Sequence, residues 1–267
     1  MQDPTDLFLL RGKGALVTGA SRGIGRAIAL AYAGAGAEVA IVARSSAELD
    51  ALADEVAASG GRALALVCDV TKPEEIAATV SRAVTELGQI DVLVNNAGGP
   101  VFNAPFLDIR ADGWRRVLDL NLMSVVSFCQ AVGSHMVERR SGSVINVDSM
   151  GAAHPSPMVS PYCAAKAAVV SLTQALALEW APANVRVNAV APGWIRTDIN
   201  RAFSDDAELE ARVAEQVPLG RWGEPADLVG VALWLASDAS AYVTGAHIPI
   251  DGGVDVVAPQ SFPIKER

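Results

Sequence analysis

The run Ala15-Leu16-Val17-Thr18-Gly19-Ala20-Ser21-Arg22-Gly23-Ile24-Gly25-Arg26 decides the fold. Its first four residues are apolar or β-branched and read as a buried strand, while the apolar positions after Gly23 recur at helical spacing. Between strand and helix, Gly19 and Gly23 permit backbone geometry and close approach that a Cβ would block, and Gly25 lets the helix pack tightly on the strand. A helix that begins here offers unpaired N–H groups and a partial positive charge to a pyrophosphate. Many turns hold several glycines, so the triad alone is weak evidence. Its weight comes from the chain on either side.

Outward from this unit, strand-like runs alternate with helical stretches: residues 15–18, 39–43, 63–68, 92–95, 143–147, 185–190 and 247–250. The alternation predicts an α/β fold, a single doubly wound (Rossmann) domain whose seven-stranded parallel sheet carries helices on both faces. Its ligand belongs where the strand order reverses. Ser45 with Glu48 and Thr71 with Glu74 predict capping boxes, and Gly60 and Gly88 stand where helices should stop. Ser160 and Pro161 read as the N-cap and first-turn proline of a long helix opening at Tyr162. No repeat or linker divides the chain, so one domain over residues 1–267 is expected, with a core of about 10–253. The irregular tail 254–267, with Pro259, Ser261 and Pro263, is expected to hang loose or to dock on a neighbouring subunit.

Composition narrows the function classes. Hydrophobic residues make up 51% of the chain but aromatics only 5%, so the core must be built from Ala, Val, Leu and Ile, as buried parallel strands require. A net charge of -9 with scattered basic residues disfavours nucleic acid. No apolar run approaches the roughly 20 residues of a membrane helix, and no membrane partner is expected. Cys68, Cys129 and Cys163 are odd in number, widely spaced and without histidines at metal-ligand spacing. No metal site is expected, and a reducing, cytoplasmic setting is.

Beyond the glycine loop, Cys68-Asp69-Val70, Asn95-Asn96-Ala97-Gly98, Ser149, Tyr162, Lys166 and Pro192-Gly193 follow in order. Together with Thr18-Gly19-Ala20-Ser21-Arg22-Gly23-Ile24-Gly25, spaced T-G-x-x-x-G-x-G, they resemble the short-chain dehydrogenase/reductase family over nearly the whole chain, most like its 3-oxoacyl-[acyl-carrier-protein] reductases and gluconate 5-dehydrogenases. The resemblance implies a catalytic tetrad of Asn121, Ser149, Tyr162 and Lys166. It implies cofactor contacts from Gly19, Ser21, Arg22, Gly23, Ile24, Gly25, Arg44, Asp69, Val70, Asn95, Ala97, Gly98, Pro192, Gly193, Ile195 and Thr197, besides Tyr162 and Lys166. It also implies that Lys166 holds the nicotinamide ribose and that Asn121 positions a water linking the lysine to solvent.

Tyr162 and Lys166 are four apart, on one helical face, where the cation should favour the phenolate and lower the tyrosine pKa. A tyrosine so tuned can pass a proton to or from a carbonyl oxygen. Ser149 follows the strand 144–147, and a hydroxyl at the carboxyl end of such a strand projects into the ligand crevice. Asp148 stands where the family commonly has a small neutral residue. It could tune Ser149, though a charge turned to the other side of the strand end is the plainer reading. His154 and Trp194 lie near the expected substrate entrance but are assigned no role.

The end of the second strand bears on the choice of dinucleotide. An NAD site usually places an Asp or Glu there, but here Ala40-Ile41-Val42-Ala43 runs into Arg44. With the carboxylate absent, Arg44 and Arg22 can meet a 2′-phosphate, which predicts NADP(H). The expected reaction is reversible hydride transfer between a ketone and a secondary alcohol. The resemblance implies a 3-oxoacyl thioester, a keto sugar acid, or a small or polycyclic ketone as substrate, and a homotetramer paired through long helices. The chain between residues 181 and 184 has no basic residue to meet an acyl carrier, although Arg139 and Arg140 could. Two other classes compete with this reading: a dinucleotide-binding redox sensor without turnover, and an extended-branch epimerase. The intact Tyr and Lys argue against the first, and the short chain against the second.

Overall fold

Seven parallel strands form one sheet in the order β3-β2-β1-β4-β5-β6-β7, as the alternating pattern predicts. In this computed structural model, which describes residues 4–256, the strands are β1 (Gly14–Thr18), β2 (Glu38–Ala43), β3 (Arg62–Val67), β4 (Val92–Asn95), β5 (Gly142–Val147), β6 (Val185–Pro192) and β7 (His247–Ile250). Among the described residues the helices are α1 (Gly23–Gly34), α2 (Ser46–Ala58), α3 (Pro73–Leu87), α4 (Ala111–Leu118), α5 (Ser124–Arg139), α6 (Ser160–Trp180), α7 (Arg201–Ser204), α8 (Ala207–Gln216) and α9 (Val229–Ala236). Of the irregular tail expected from residue 254, residues 257–267 lie outside the described residues.

Alternate strand residues feed two cores, because side chains on a strand point to opposite faces. Val17, Ile41, Val94 and Ile145 pack with α1 and α9 on one face. Leu16, Val42, Leu93 and Val144 pack with α3, α5 and α6 on the other. Tyr32 of α1 is fully buried in the first core and donates from its hydroxyl to Ala232 O of α9 at 2.9 Å, so the polar tip of a large apolar group is satisfied.

The helices depart from expectation mainly at their ends. Ser45 caps α2, accepting from Glu48 N at 3.4 Å. Thr71 caps nothing: its N–H and Oγ1 both donate to Asp69 Oδ1, at 3.0 and 2.8 Å, and α3 starts at Pro73 behind Lys72. The acid that reaches back is Glu75, not Glu74, and it accepts from Asp69 N at 2.8 Å. Ser160 is likewise not the cap of α6, because Tyr162 N and Cys163 N both bond to Val159 O and so bring Ser160 inside the helix.

α4 continues through a π-turn, Asp119–Met123, into α5. Contrary to the sequence expectation, this continuous Ala111–Arg139 helix is long and apolar enough to cross a membrane by length and composition. Its apolar residues Val125, Phe128, Val132 and Met136 are spent on the α6-side core instead.

Candidate active site

The strand order reverses between β1 and β4, whose outward connections leave in opposite directions and open a crevice at their carboxyl ends. Thr18 and Asn96 fasten its floor. Thr18 Oγ1 donates to Val94 O at 3.3 Å and accepts from Asn96 N and Ala97 N at 2.9 and 3.0 Å. Asn96 Nδ2 returns bonds to Thr18 O and Gly19 O at 2.9 and 3.2 Å. Gly19 and Gly23 take φ of 64° and 56°, and a Cβ on Gly19 would lie 2.8 Å from Asn96 Nδ2. Arg22 stands at the N-cap of α1 without a side-chain cap bond, so the first-turn N–H groups face the crevice unpaired by that residue.

The crevice holds about 660 Å³ and is walled by Gly19, Ser21, Arg22, Gly23, Ile24, Arg44, Asp69, Val70, Ala97, Gly98 and Thr197 of the expected cofactor contacts. Others of that set do not present side chains to it. Gly25 lies beneath the loop, where a Cβ would come within 2.4 Å of Gly19 O and Asn96 Nδ2. Asn95 points into the core and donates to Asn146 Oδ1 at 2.9 Å, because consecutive residues at a strand end face opposite sides. Ile195 is buried against Gly223, and Gly193 is pressed on Asp251, where a Cβ would sit 2.6 Å away. Pro192 is buried at the end of β6. Thr18 and Asn96, part of the sequence motifs but expected to make no contact, also build the crevice, and Ser45, Glu48, Arg116, Asp119, Asp198 and Ile199, of which the spacing gave no sign, line it. The Thr at the strand end and the second Asn of the pair were the available signals.

Charge at the mouth is mixed. Arg44 is exposed and, among the described residues, makes no ion pair, whereas Arg22 Nη1 lies 3.3 Å from Asp198 Oδ2 across the opening. Asp69 is held below the usual carboxylate range by its bonds from Thr71, with smaller help from Lys72 and Arg44.

Gly98 of the crevice wall backs onto two of the four expected catalytic residues, Asn121 and Lys166, while Tyr162 lies beside Lys166 and Ser149 beside Tyr162; none of the four is among the residues that wall the crevice itself. Asn121 sits in the π-turn, fully buried, with Oδ1 accepting from Gly99 N at 2.8 Å and Nδ2 donating to Gly99 O and Val117 O at 3.1 and 2.9 Å. A Cβ on Gly98 would lie 2.8 Å from Asn121 Oδ1 and 3.2 Å from Lys166 Nζ, so only glycine lets the crevice wall touch both. Lys166 is 3% exposed, and Nζ donates to Val147 O at 2.8 Å. Ser149 caps a short 3-10 turn, accepting from Gly151 N at 3.1 Å, and hydrogen-bonds Tyr162.

The electrostatics correct the sequence argument. Burial pushes the Tyr162 phenol up to about 12, outweighing the downward pull of its Ser149 bond. Lys166 stands 5.7 Å from the tyrosine ring centroid, and its own burial lowers it to about 8. Helical spacing brought the pair together, but it could not show that desolvation acts on both. Asp148 directly follows Val147 at the end of β5. It is buried on the α6 side, and His247 Nε2 donates to its Oδ2 at 2.8 Å. His154 pairs with Asp255 at 2.9 Å, and Trp194 stacks edge-on with Phe203 and Trp222.

Residues 19–255 match a family model described as Enoyl-(Acyl carrier protein) reductase. The chain is 41% identical to 2-dehydro-3-deoxy-D-gluconate 5-dehydrogenase of Pseudoalteromonas atlantica over 92% of its own length and 97% of that protein. It is equally, 41%, identical to a 3-oxoacyl-[acyl-carrier-protein] reductase of Staphylococcus epidermidis over 91% and 98%. The crystal structure of a gluconate 5-dehydrogenase from Burkholderia cenocepacia, in complex with NADP and tartrate, superposes with a TM-score of 0.91 at 36% identity, covering 96% of this chain and 100% of that one.

Proposed function

The chain belongs to the short-chain dehydrogenase/reductase family, and we propose that it is an NADP(H)-dependent oxidoreductase interconverting a keto sugar acid and the matching secondary alcohol. The observation that carries this is the convergence of Ser149, Tyr162 and Lys166, with Lys166 directly behind Gly98 in the wall of a crevice floored by a glycine loop. The residues fit the dinucleotide. Gly19 and Gly23 leave a cradle that a Cβ would fill, the N-terminus of α1 carries no side-chain cap, and Arg44, free of ion pairs among the described residues, stands where an acid would repel a 2′-phosphate. The NADP complex of the Burkholderia relative agrees. When bound, the nicotinamide supplies or accepts the hydride.

Tyr162 is the proton donor to the carbonyl oxygen in reduction, and burial keeps its phenol protonated at neutral pH. In the oxidative direction it takes the proton back. Ser149 bonds the same oxygen and orients the phenol. Lys166, anchored on Val147 O, holds the ribose with its remaining donors and offers positive charge beside the tyrosine. Asn121, held in the π-turn by three hydrogen bonds to Gly99 and Val117, positions a water between the lysine and solvent.

Keto sugar acid is favoured over acyl carrier because the two arginines able to meet an acidic carrier are engaged within the chain. Arg139 Nη2 bonds Asp91 Oδ1 at 2.6 Å and Arg140 Nη2 donates to Pro182 O at 2.6 Å. The proposal includes a cytoplasmic setting, supported by three buried, unpaired cysteines. It also includes a homotetramer, supported by Leu178 of α6 and Val137 of α5, both apolar and exposed. The test follows NADPH absorbance with keto sugar acids, acetoacetyl thioesters and simple ketones. Turnover should be fastest with a keto sugar acid; turnover confined to thioesters would replace the substrate reading.

A further inference from the structure

β5, β6 and β7 register so that Asn146, Ala189 and His247 lie in one row across the sheet. Residues two apart on a strand share a face, so Asp148 and His247 point to the same side as Asn146, the side covered by α6. That is also the side from which Lys166 reaches Val147 O. Ala189, with its short side chain, lies between the two strands that carry Asp148 and His247, and His247 Nε2 spans the gap to donate to Asp148 Oδ2 at 2.8 Å. The Asp148 side chain has no exposed surface, and its Oδ1 is buried without a hydrogen-bond partner among the described residues.

A buried carboxylate with a free oxygen is costly unless a charge answers it. Lys166 has the complementary need: it is buried, and its observed acceptor is a neutral carbonyl. Among the described residues, Asp148 is the opposing charge that acts on the Lys166 ammonium. We propose that Asp148, clamped by His247, is a positioning residue of the hydride-transfer site, its carboxylate serving as the buried counter-charge of Lys166.

This rests on the functional reading above and adds to it a charge that the tetrad does not contain. The titratable groups facing Asp148 are His247 from β7 and Lys166 and Tyr162 from α6, with Cys163 also acting on Tyr162. Their signs agree. The Asp148 charge opposes loss of a proton from both Lys166 and Tyr162, so removing it moves both groups toward deprotonation at lower pH. Asp148 itself is pushed up to about 6 by burial, against the pull of His247 and Lys166, so it is ionised at neutral pH and available to do this.

The experiment measures NADPH affinity by tryptophan fluorescence quenching from pH 6 to 10 in wild type, Asp148→Asn, Asp148→Glu and His247→Ala, with the pH profile of ketone reduction alongside. Affinity should fall on the alkaline side as Lys166 loses its charge. In Asp148→Asn that fall, and the alkaline limb of turnover, should move down by about one pH unit, the lower end of the effect of a close opposite charge. Asp148→Glu should restore the wild-type position, and His247→Ala should shift the curve the same way by less. A structural role alone would weaken binding equally at every pH. Curves for wild type and Asp148→Asn that coincide in midpoint overturn the inference, and if Asp148→Asn does not fold, an unshifted His247→Ala overturns it. Wild type that fails to bind NADPH contradicts the functional reading itself, a different outcome from coincident curves.

Discussion

An ammonium that is 3% exposed, with one carbonyl as its observed acceptor, is a costly group to keep in a core. The drop of Lys166 from 10.5 to about 8 corresponds to roughly 3 kcal/mol of stability sacrificed at neutral pH. The sign is that of a depressed lysine: the folded chain binds fewer protons than the unfolded one between about pH 8 and 10.5. The penalty is therefore full below about pH 8 and is relieved as pH rises through that window. Function supplies the reason to retain the charge. Lys166→Ala should lower NADPH affinity at pH 7 by tenfold or more, about 1.4 kcal/mol, and remove most turnover. Its remaining affinity should no longer vary between pH 7 and 9, whereas that of wild type should fall there. Fluorescence titration reads both, and a loss of turnover with unchanged affinity would remove the ribose-holding role.

At the scale of elements, the glycine loop, β1 and α1 form one device, and the loop's arginine is already spoken for. Arg22 leans across the mouth to Asp198, while Arg44 at the end of β2 is free of ion pairs among the described residues. Arg44 should therefore carry more of the 2′-phosphate preference. Arg44→Ala should cut kcat/KM for NADPH about tenfold or more, the scale of a charge-assisted bond, and leave NADH nearly unchanged; adding Arg22→Ala should deepen the loss only modestly. A wild type that prefers NADH, or a preference untouched by both changes, would refute the assignment. The strands and the long helices were legible from periodicity because each is a local pattern. The ends of α3 and α6 were not, because Thr71 spends its own N–H and hydroxyl on Asp69, and Val159 O takes the Tyr162 and Cys163 N–H groups that Ser160 would have capped. The inward turn of Asn95 and the Asp148–His247 pair were equally hidden. They depend on which face a strand residue takes and on register across three strands, 99 positions apart in the chain.

For the whole molecule, the sheet order puts the glycine loop of β1 and the Asn96 to Gly98 segment after β4 on either side of the reversal, and the two helical cores hold that geometry from both faces. Residues from β5, α6 and the π-turn reach the same point from the far half of the chain, so the site exists only when the entire sheet is assembled. Tyr162 is where this assembly meets the reacting oxygen. The direct test is NADPH oxidation with the best keto substrate by wild type and Tyr162→Phe, each paired with an NADPH titration. Phenylalanine keeps the ring and removes only the proton donor, so turnover should fall by about a hundredfold or more while affinity stays within about twofold. Turnover in Tyr162→Phe equal to that of wild type would contradict the account.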